Sequence, residues 1–330
     1  MNEEYDIFAM DFDNDYSKLD IASLRKYHKV KSIRIPWLLK IMIININKLS
    51  PKISLFILGL YIKNYVFNFN QFCENSIILL NDNVIGKLAS DIVNEYNKHN
   101  IMIIRNSFND REFILNRPHI YFFTFDFNDS KRLNINHYDQ YCSGYDYILK
   151  NKGRDKVYDF YFLGLNKGRK KYVDKIYEKI KKYKNLIILK EKGTITKKLL
   201  NLVYPIKSIR MLPYRENLDF LLQSEVIIDI TKDGQTGLTM RVIEALLSDK
   251  KIITNNESVR EYPFYDENNI FIIDDFDSLS EKQIECFLSM EYIIVSDELK
   301  KNYEPGYILN NIINSVMENK WNRGNENNFN

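Results

Sequence analysis

Short apolar runs alternate with segments of helical spacing along the whole chain of 330 residues. Runs such as residues 76–80 and 226–230 are short and rich in Ile, Leu and Val, as expected for strands buried on both faces. Between them, segments such as residues 82–99 repeat their apolar residues at the spacing of a helix. This alternation predicts an α/β protein.

A polar, glycine-containing stretch at residues 143–155 separates two series of such elements. It has the composition of a linker, and the chain is long enough for two hydrophobic cores. We therefore expect an N-terminal domain at residues 1–150 and a C-terminal domain at 151–320. We expect the last helix to cross back toward the first domain, and the Asn-rich tail at 321–330 to be frayed.

Charge and cysteine content exclude several classes of protein. The chain has 47 Lys and Arg against 44 Asp and Glu, and a net charge of +3 is too small for bulk nucleic-acid binding. Cys73, Cys142 and Cys286 form no C-x-x-C pair, so neither a disulfide framework nor a zinc site is predicted.

Glu3 and Glu4 stand where a signal peptide is basic, and the longest apolar run is about half of the roughly 20 residues of a membrane span. We expect a cytoplasmic protein.

Residues 21–73 combine many apolar side chains with nine Lys or Arg residues and no Asp or Glu. A surface that faces anionic lipid has this composition, which predicts peripheral attachment at the inner face of the membrane. Two core helices with basic solvent faces would give the same pattern, so this alternative stays open.

The strongest site signal is a strand, a loop and a helix in succession. The predicted buried strand at residues 225–229 leads into a loop with Gly234 and Gly237, and a predicted helix follows. The free N–H groups of a helix N-terminus favour phosphate or carboxylate, and open α/β sheets bind ligands beyond the carboxyl ends of their strands. On the helix, Arg241 and Glu244 are three residues apart; an Arg can pair with a diphosphate and a Glu can accept both hydroxyls of a ribose. An exposed ion pair beside a simple turn is the alternative.

A similar junction occurs earlier in the predicted C-terminal domain. A strand ends at Gly164, and Lys167, Gly168 and Arg169 open the next helix. The spacing is neither that of a P-loop nor that of G-x-G-x-x-G. Cations are unfavourable at a helix N-terminus, so their presence indicates an anionic ligand, with a solvated first turn as the alternative.

Several segments together resemble GT-B-fold glycosyltransferases from the loci for bacterial lipopolysaccharide, capsule and other surface glycans. The resemblance covers roughly residues 115–275 and rests on pieces in the family's order. These are residues 162–164 with 167–169, 213–217, 234–245, 250–256, 264–265 with 268–270, and 123–126 with Asp129.

The resemblance implies two Rossmann-like domains facing a cleft. The implied activity moves a sugar from a nucleotide-sugar to a glycan or lipid-linked acceptor, without a metal or other cofactor. Glu244 would hold the donor ribose, and Tyr214 would contact the base. Gly164, Lys167 and Arg169 would surround the diphosphate and sugar with the loop 234–237. The predicted donor-binding residues are Gly164, Lys167, Arg169, Tyr214, Gly234, Gln235, Thr236, Gly237, Thr239, Arg241 and Glu244. Thr236 takes the position where many GT-B enzymes carry a second glutamate.

Three side chains are candidates for the base that deprotonates the acceptor. Asp11 follows the first predicted strand, His119 precedes a later one, and His137 lies in the loop before the domain boundary. Asp11 and Asp13 also allow a metal-dependent alternative, a GT-A-like enzyme or a phosphatase. A non-catalytic protein that binds a nucleotide or a glycan is the remaining alternative.

Overall fold

A computed structural model describes residues 4–63, 76–95, 99–190, 212–232 and 234–318. Contacts divide these residues into two compact units, one up to Asp139 and again from Glu304 onward, the other Gln140–Tyr303. The sequence placed the boundary at residue 150, whereas residues 140–150 group with the second unit. The predicted frayed tail and Cys73 lie outside the described residues. No helix within them is long and apolar enough to cross a membrane.

The first unit contains a six-stranded parallel sheet. Its strands are β1 (Asp6–Met10), β2 (Lys29–Ile33), β3 (Ser76–Asn81), β4 (His99–Ile104), β5 (Ile120–Thr124) and β6 (Asn136–His137), in the order β2-β1-β3-β4-β5-β6. The chain runs from β1 to one side of the sheet and then returns to the other side at β3. The carboxyl ends of β1 and β3 therefore form a topological switch point, the position where open α/β sheets bind ligands.

Among the described residues, six helices lie between β1 and β6 along the chain. They are α1 (Asp15–Leu24), α2 (Trp37–Leu49), α3 (Pro51–Tyr61), α4 (Val84–Val93), α5 (Arg111–Leu115) and α6 (Phe127–Leu133). Asparagine side chains cap two of them, because Asn14 accepts from the backbone N–H of Ser17 at 2.8 Å and Asn83 accepts from that of Gly86 at 2.8 Å. These caps fix where α1 and α4 begin, directly after β1 and β3.

The second unit contains a five-stranded parallel sheet in the order β11-β10-β9-β7-β8. Its strands are β7 (Tyr158–Leu165), β8 (Asn185–Lys190), β9 (Ser224–Asp229), β10 (Lys251–Thr254) and β11 (Ile270–Ile272), and its helices are α7 (Tyr145–Asn151), α8 (Lys170–Ile180), α9 (Tyr214–Leu222), α10 (Met240–Leu247), α11 (Glu281–Ser289) and α12 (Asp297–Lys301). The switch point of this sheet lies between β7 and β9. Two parallel sheets with helices confirm the predicted α/β class with Rossmann-like domains.

Strand β9 is buried on both faces, as its continuous apolar run predicted. Val226 and Ile228 pack in one hydrophobic cluster with helices α8 and α11, and Ile227 packs in another with α9 and α10. Successive strand residues point to opposite faces, so both sides of the sheet are covered. This packing fixes the end of β9, where Asp229 stands.

The last described helix, α13 (Pro305–Met317), packs against α1 in the first unit. Glu304, which precedes it, accepts hydrogen bonds from Ser23 Oγ at 3.0 Å, Lys26 Nζ at 2.9 Å and Tyr27 Oη at 3.2 Å. The backbone N–H of Gly306 donates to Ser23 Oγ at 2.9 Å. A polar cluster therefore ties the end of the described chain to its first helix.

Candidate functional site

The switch point of the second sheet is organised around one buried carboxylate. Asp229 ends β9 and is fully buried. Its Oδ1 accepts hydrogen bonds from Thr239 Oγ1 at 2.8 Å and from Arg241 Nη1. Thr239 is the N-cap residue of α10, but its side chain makes no capping hydrogen bond to the helix. Its hydroxyl donates to Asp229 instead. The N-terminus of α10, which carries a partial positive charge, follows directly after Thr239.

Arg241 is held between the two strands of the switch point. Besides its ion pair with Asp229, its Nε donates to the carbonyl of Leu163 at 3.1 Å. Its guanidinium carbon lies 5.5 Å from the centre of the Phe162 ring. Glu244 is only 1% exposed, so the alternative of an exposed Arg241–Glu244 ion pair on a solvated helix face is wrong.

Arg169 brings a second guanidinium to the same position. It precedes α8 and is 9% exposed, and its Nε is buried without a hydrogen-bond partner among the described residues. Burial and the positive charge of Arg241 lower the pKa of Arg169, while Asp229 acts in the opposite direction. Asp229 is paired with Arg241, so the buried guanidinium of Arg169 lies beside a second cation without an ion pair of its own among the described residues, which suits an anionic ligand.

The loop after β7 leaves room for these groups. A Cβ added at Gly164 would lie 2.9 Å from Cζ of Phe162 and 3.7 Å from Nη1 of Arg169. Lys167 and Gly168 have φ values of 39° and 87°, so the chain turns through the left-handed region just before α8. Lys167 is exposed at this turn. The backbone and the two cations predicted from the sequence therefore lie at one strand end.

The loop after β9 forms the other wall of this region. Gly234 has a φ of 80°, which a glycine adopts without strain. Gln235 Nε2 donates to the carbonyl of Gly237 at 3.0 Å. Thr236 and Gly237 use their carbonyls within the protein, because both accept from Asn256. The predicted loop residues are therefore brought to the switch point with Arg241.

Two asparagines that support this loop were missed as site residues. Asn255 Oδ1 accepts from the backbone N–H of Thr231 at 2.8 Å, and Asn256 Nδ2 donates to the carbonyl of Thr236 at 3.2 Å. Both follow β10, whose carboxyl end meets the same edge of the sheet. Asp229 belonged to the predicted strand, loop and helix signal but was not among the predicted donor-binding residues. The available signal was the position of these polar residues directly after buried strands.

Tyr214 and Glu244 form a second pair beside the Arg241 cluster. The Tyr214 hydroxyl donates to Glu244 Oε1 at 2.7 Å and accepts from the backbone N–H of Gly144 at 3.1 Å. Burial raises the pKa of Tyr214 well above its ordinary value, so the phenol remains a donor. Glu244 lies about one turn along α10 from Arg241. The structure thus joins two predicted donor-binding residues by a direct hydrogen bond.

In the first sheet, Asp11 lies at the switch point between β1 and β3. It has a φ of 61° and is fully buried. Its carboxylate accepts from Lys40 Nζ at 2.8 Å and Asn83 Nδ2 at 2.8 Å. Burial raises the pKa of Asp11, and Lys40 opposes that shift. Lys40 also lies 3.1 Å from Asp13 Oδ1, so one ammonium group pairs with both carboxylates of the metal-dependent alternative.

The three candidate bases are not brought together. His119 precedes β5, so it lies at the amino edge of the sheet, opposite Asp11, and its buried Nδ1 has no partner among the described residues. His137 ends β6, and its ring meets Phe127 edge to face at 5.8 Å. Since β6 is four strand positions from β1, His137 and Asp11 are separated by roughly 19 Å. Within the part of the chain that the structure describes, no three His, Cys, Asp or Glu side chains form a group that could hold a metal ion.

Sequence comparison identifies no relative, because no protein-family model and no curated protein sequence matches the chain. Solved structures do match its fold. A putative UDP-N-acetylglucosamine 2-epimerase from Listeria monocytogenes aligns over 96% of this chain and 97% of its own, with a TM-score of 0.52 and 10% identity.

Two further solved structures have TM-scores above 0.5. UDP-N-acetylglucosamine 2-epimerase from Methanocaldococcus jannaschii, in complex with UDP-N-acetylglucosamine and UDP, aligns over 96% of this chain and 100% of its own at 16% identity and a TM-score of 0.52. An α1,3-fucosyltransferase with GDP aligns over 98% of this chain and 93% of its own at 11% identity and a TM-score of 0.51. These likenesses show that the chain has the GT-B-like fold that the sequence predicted.

Proposed function

We propose that the chain is a glycosyltransferase that moves a sugar from a nucleotide-sugar to a glycan or lipid-linked acceptor in bacterial surface-polysaccharide synthesis. The observation that carries this proposal is the pair Arg169 and Arg241 around Asp229 at the switch point of the second sheet. Solved structures of the same fold carry UDP, UDP-N-acetylglucosamine or GDP. A nucleoside diphosphate is therefore the anion that we assign to this position.

The proposed chemistry rests on charges that are already in place. As the bond between sugar and diphosphate breaks, negative charge develops on the leaving diphosphate. Arg169, whose buried Nε has no hydrogen-bond partner among the described residues, and the positive N-terminal end of α10 would stabilise that charge. Arg241 keeps its ion pair with Asp229 and adds positive potential. On this proposal no bound metal is required, because the chain supplies the cations.

The nucleoside end of the donor is assigned to Tyr214 and Glu244. Glu244 would accept the ribose hydroxyls and Tyr214 would lie against the base. Glu244 is 1% exposed, so the ribose can reach its carboxylate only if the side chain of Tyr214 moves or if the hydroxyl of Tyr214 and the ribose bind the carboxylate together. Their position one turn from Arg241 supports this assignment, since ribose and diphosphate are adjacent in a nucleotide.

For the acceptor base we put Asp11 first. It lies at the switch point of the first sheet and its pKa is raised, which favours a carboxylate that can take up a proton. His137 lies at the same edge of that sheet but far from the switch point, and His119 lies at the opposite edge. A lipid-linked acceptor would place the protein at the cytoplasmic face of the membrane.

An epimerase acting on a UDP-sugar is the second candidate, because two solved structures of this fold carry that name. It would use the same diphosphate site but no acceptor. Incubation with UDP-N-acetylglucosamine alone, followed by NMR of the sugar, separates the two. Inversion at C2 indicates an epimerase, whereas an unchanged sugar that is transferred only when an acceptor is added indicates a transferase.

The proposal is tested first by a thermal-shift panel with UDP, GDP, CMP and dTDP, each with and without EDTA. We expect one nucleotide to stabilise the protein by about 2.7 kcal/mol at a hundredfold excess over its Kd, and we expect EDTA to leave the shift unchanged. Glu244→Gln should reduce the shift, and the surface control Arg260→Gln should not. A shift that needs Mg²⁺ favours the metal-dependent alternative, no shift contradicts the donor site, and binding without turnover of any sugar favours a binding protein.

A further inference from the structure

Helices α2 and α3 form an antiparallel hairpin on the first unit. Ser50 is the single residue between them, and its hydroxyl caps α3 by accepting from the backbone N–H of Ile53 at 3.4 Å. The Tyr61 hydroxyl donates to the carbonyl of Arg34 at 3.1 Å, so the end of α3 lies beside the start of α2. Both helices also contact α4, which attaches the hairpin to the sheet.

The solvent face of this hairpin is apolar. Trp37, Leu38 and Leu49 are 71%, 72% and 89% exposed on α2, and Phe56 is 65% exposed on α3. The exposed apolar residues of the hairpin are Trp37, Leu38, Ile41, Met42, Leu49, Ile53, Phe56 and Leu60. Two core helices with basic solvent faces, the alternative left open by the sequence, are therefore not what the chain forms. A group of exposed apolar side chains of this size marks a contact with a partner or a membrane.

The hairpin itself carries basic and no acidic side chains, and the acidic residues that border it are Asp91 and Glu95, which lie with Lys52 and Lys63 around one surface pocket. Lys48 at the end of α2 and Lys52 at the start of α3 are both exposed, and residues 21–73 contain no Asp or Glu. Lys63 pairs with Glu95 of the following segment at 3.5 Å, and Lys40 turns inward to Asp11. Lys48 and Lys52 therefore stand at the turn of the hairpin as cations beside apolar side chains.

We propose that the α2–α3 hairpin docks on a bilayer that contains anionic lipids. The apolar side chains enter the boundary between headgroups and acyl chains, and Lys48 and Lys52 lie at the level of the lipid phosphates. A bilayer fits this face better than a second copy, because anionic headgroups complement Lys48 and Lys52, whereas the hairpin of a second copy carries no acidic side chain to pair with them. This docking surface lies in the first unit and does not involve the donor site of the second.

The sequence contains two tryptophans, Trp37 and Trp321. The test uses the full chain with Trp321→Phe, so that the fluorescence comes from Trp37 alone. Vesicles of phosphatidylcholine with phosphatidylglycerol should shift the Trp37 emission to shorter wavelength and co-sediment the protein at low salt. Phosphatidylcholine vesicles should bind it much more weakly. Raising the salt should weaken binding to the anionic vesicles, because the Debye length falls from about 10 Å at 0.1 M to about 3 Å at 1 M.

Two double variants separate the apolar and the charged contributions. Lys48→Gln with Lys52→Gln should weaken binding to anionic vesicles about 25-fold, from about fivefold for each lysine near the surface. Leu38→Ser with Phe56→Ser should weaken it by at least about tenfold. The matched controls, Lys18→Gln with Lys282→Gln and Ile294→Ser, remove exposed residues outside the hairpin and should leave binding unchanged.

Three results would overturn the proposal. The first is no emission shift and no co-sedimentation with anionic vesicles. The second is binding that the two double variants leave unchanged. The third is a dimer, measured by light scattering without vesicles, that Leu38→Ser with Phe56→Ser dissociates, since a second copy would then cover this face. Nucleotide titrations without vesicles show in each case whether the donor site is intact.

Discussion

Replacement of Arg169 by Met should have opposite effects on the stability of the free protein and on nucleotide binding. The guanidinium is nine-tenths buried, its Nε has no partner among the described residues, and it faces the positive charge of Arg241. An ordinary buried cation contributes stability through its partner. Here the partner, on our proposal, is the ligand.

The sign of the stability effect follows from the pKa. Burial and Arg241 lower the pKa of Arg169, which means that folding disfavours its charged form. Arginine stays protonated at neutral pH, so this unfavourable contribution is fully present there. Met fills a similar volume without charge, and we expect the free energy of unfolding to rise by on the order of 1 kcal/mol. Loss of charge-assisted hydrogen bonds to a diphosphate should cost about 1.5–3 kcal/mol of binding, or about 10- to 150-fold in Kd.

Urea unfolding of the free protein and calorimetric titration with the nucleotide found in the panel measure the two effects. Arg241→Met is the matched comparison. It leaves Asp229 buried without its cation, so it should lower the free energy of unfolding by about 3–5 kcal/mol as well as weaken binding. Arg169→Met should therefore raise the free energy of unfolding and Arg241→Met should lower it, whereas both substitutions should weaken nucleotide binding.

A less stable Arg169→Met protein with unchanged nucleotide affinity would refute this reasoning, because Arg169 would then act as a structural residue with a favourable environment. If a nucleotide bound Arg169→Met and Arg241→Met as tightly as the unaltered chain, the diphosphate would not bind at this switch point.

Two further predictions concern the helix that ends the described chain. Burial would raise the pKa of Glu304, but hydrogen bonds led by those from Lys26 and Ser23 outweigh it and lower the pKa. Stability from this carboxylate is therefore present above the unfolded pKa of about 4.3 and lost as pH falls through the lower folded value. Glu304→Gln should lower the free energy of unfolding by about 1–3 kcal/mol at pH 7, and urea unfolding should show the difference closing below about pH 4; a constant difference would argue for a packing effect. Gly306→Ala should cost about 1–3 kcal/mol, because a Cβ there would lie 2.6 Å from the carbonyl oxygen of Ser23, whereas the helical control Gly59→Ala meets nothing closer than 4.0 Å and should be neutral or stabilising in thermal unfolding.

Local patterns in the sequence predicted the class of fold and the positions of the glycine loops. The period of apolar residues depends only on near neighbours, so the strand at β9 and the helix at α10 could be read directly. The same holds for Gly234 and Gly168, whose left-handed backbone suits the turns predicted at those positions. The resemblance then supplied the order of the donor-binding pieces, and the solved structures agree with its fold.

The partners of the charged side chains were decided by tertiary structure. Arg241 meets Asp229 because β9 ends beside the start of α10, and Arg169 reaches them because β7 is the neighbour of β9. Tyr214 begins α9 and Glu244 lies in α10, so their hydrogen bond joins two residues that are 30 positions apart in the sequence. Strand order and packing set these distances, and neither appears in a local pattern of residues.

The α2–α3 hairpin shows the same division. The sequence by itself determined that residues 21–73 are apolar, basic and free of acid, and that composition fits either a buried pair of helices or a surface pair. An apolar helix gives no sign of which of its faces the rest of the chain will cover. The tertiary structure decided this: α4 and the sheet cover the face of Ile43 and Leu58, and Trp37, Leu38 and Phe56 remain in solvent because no other part of the described chain packs on them.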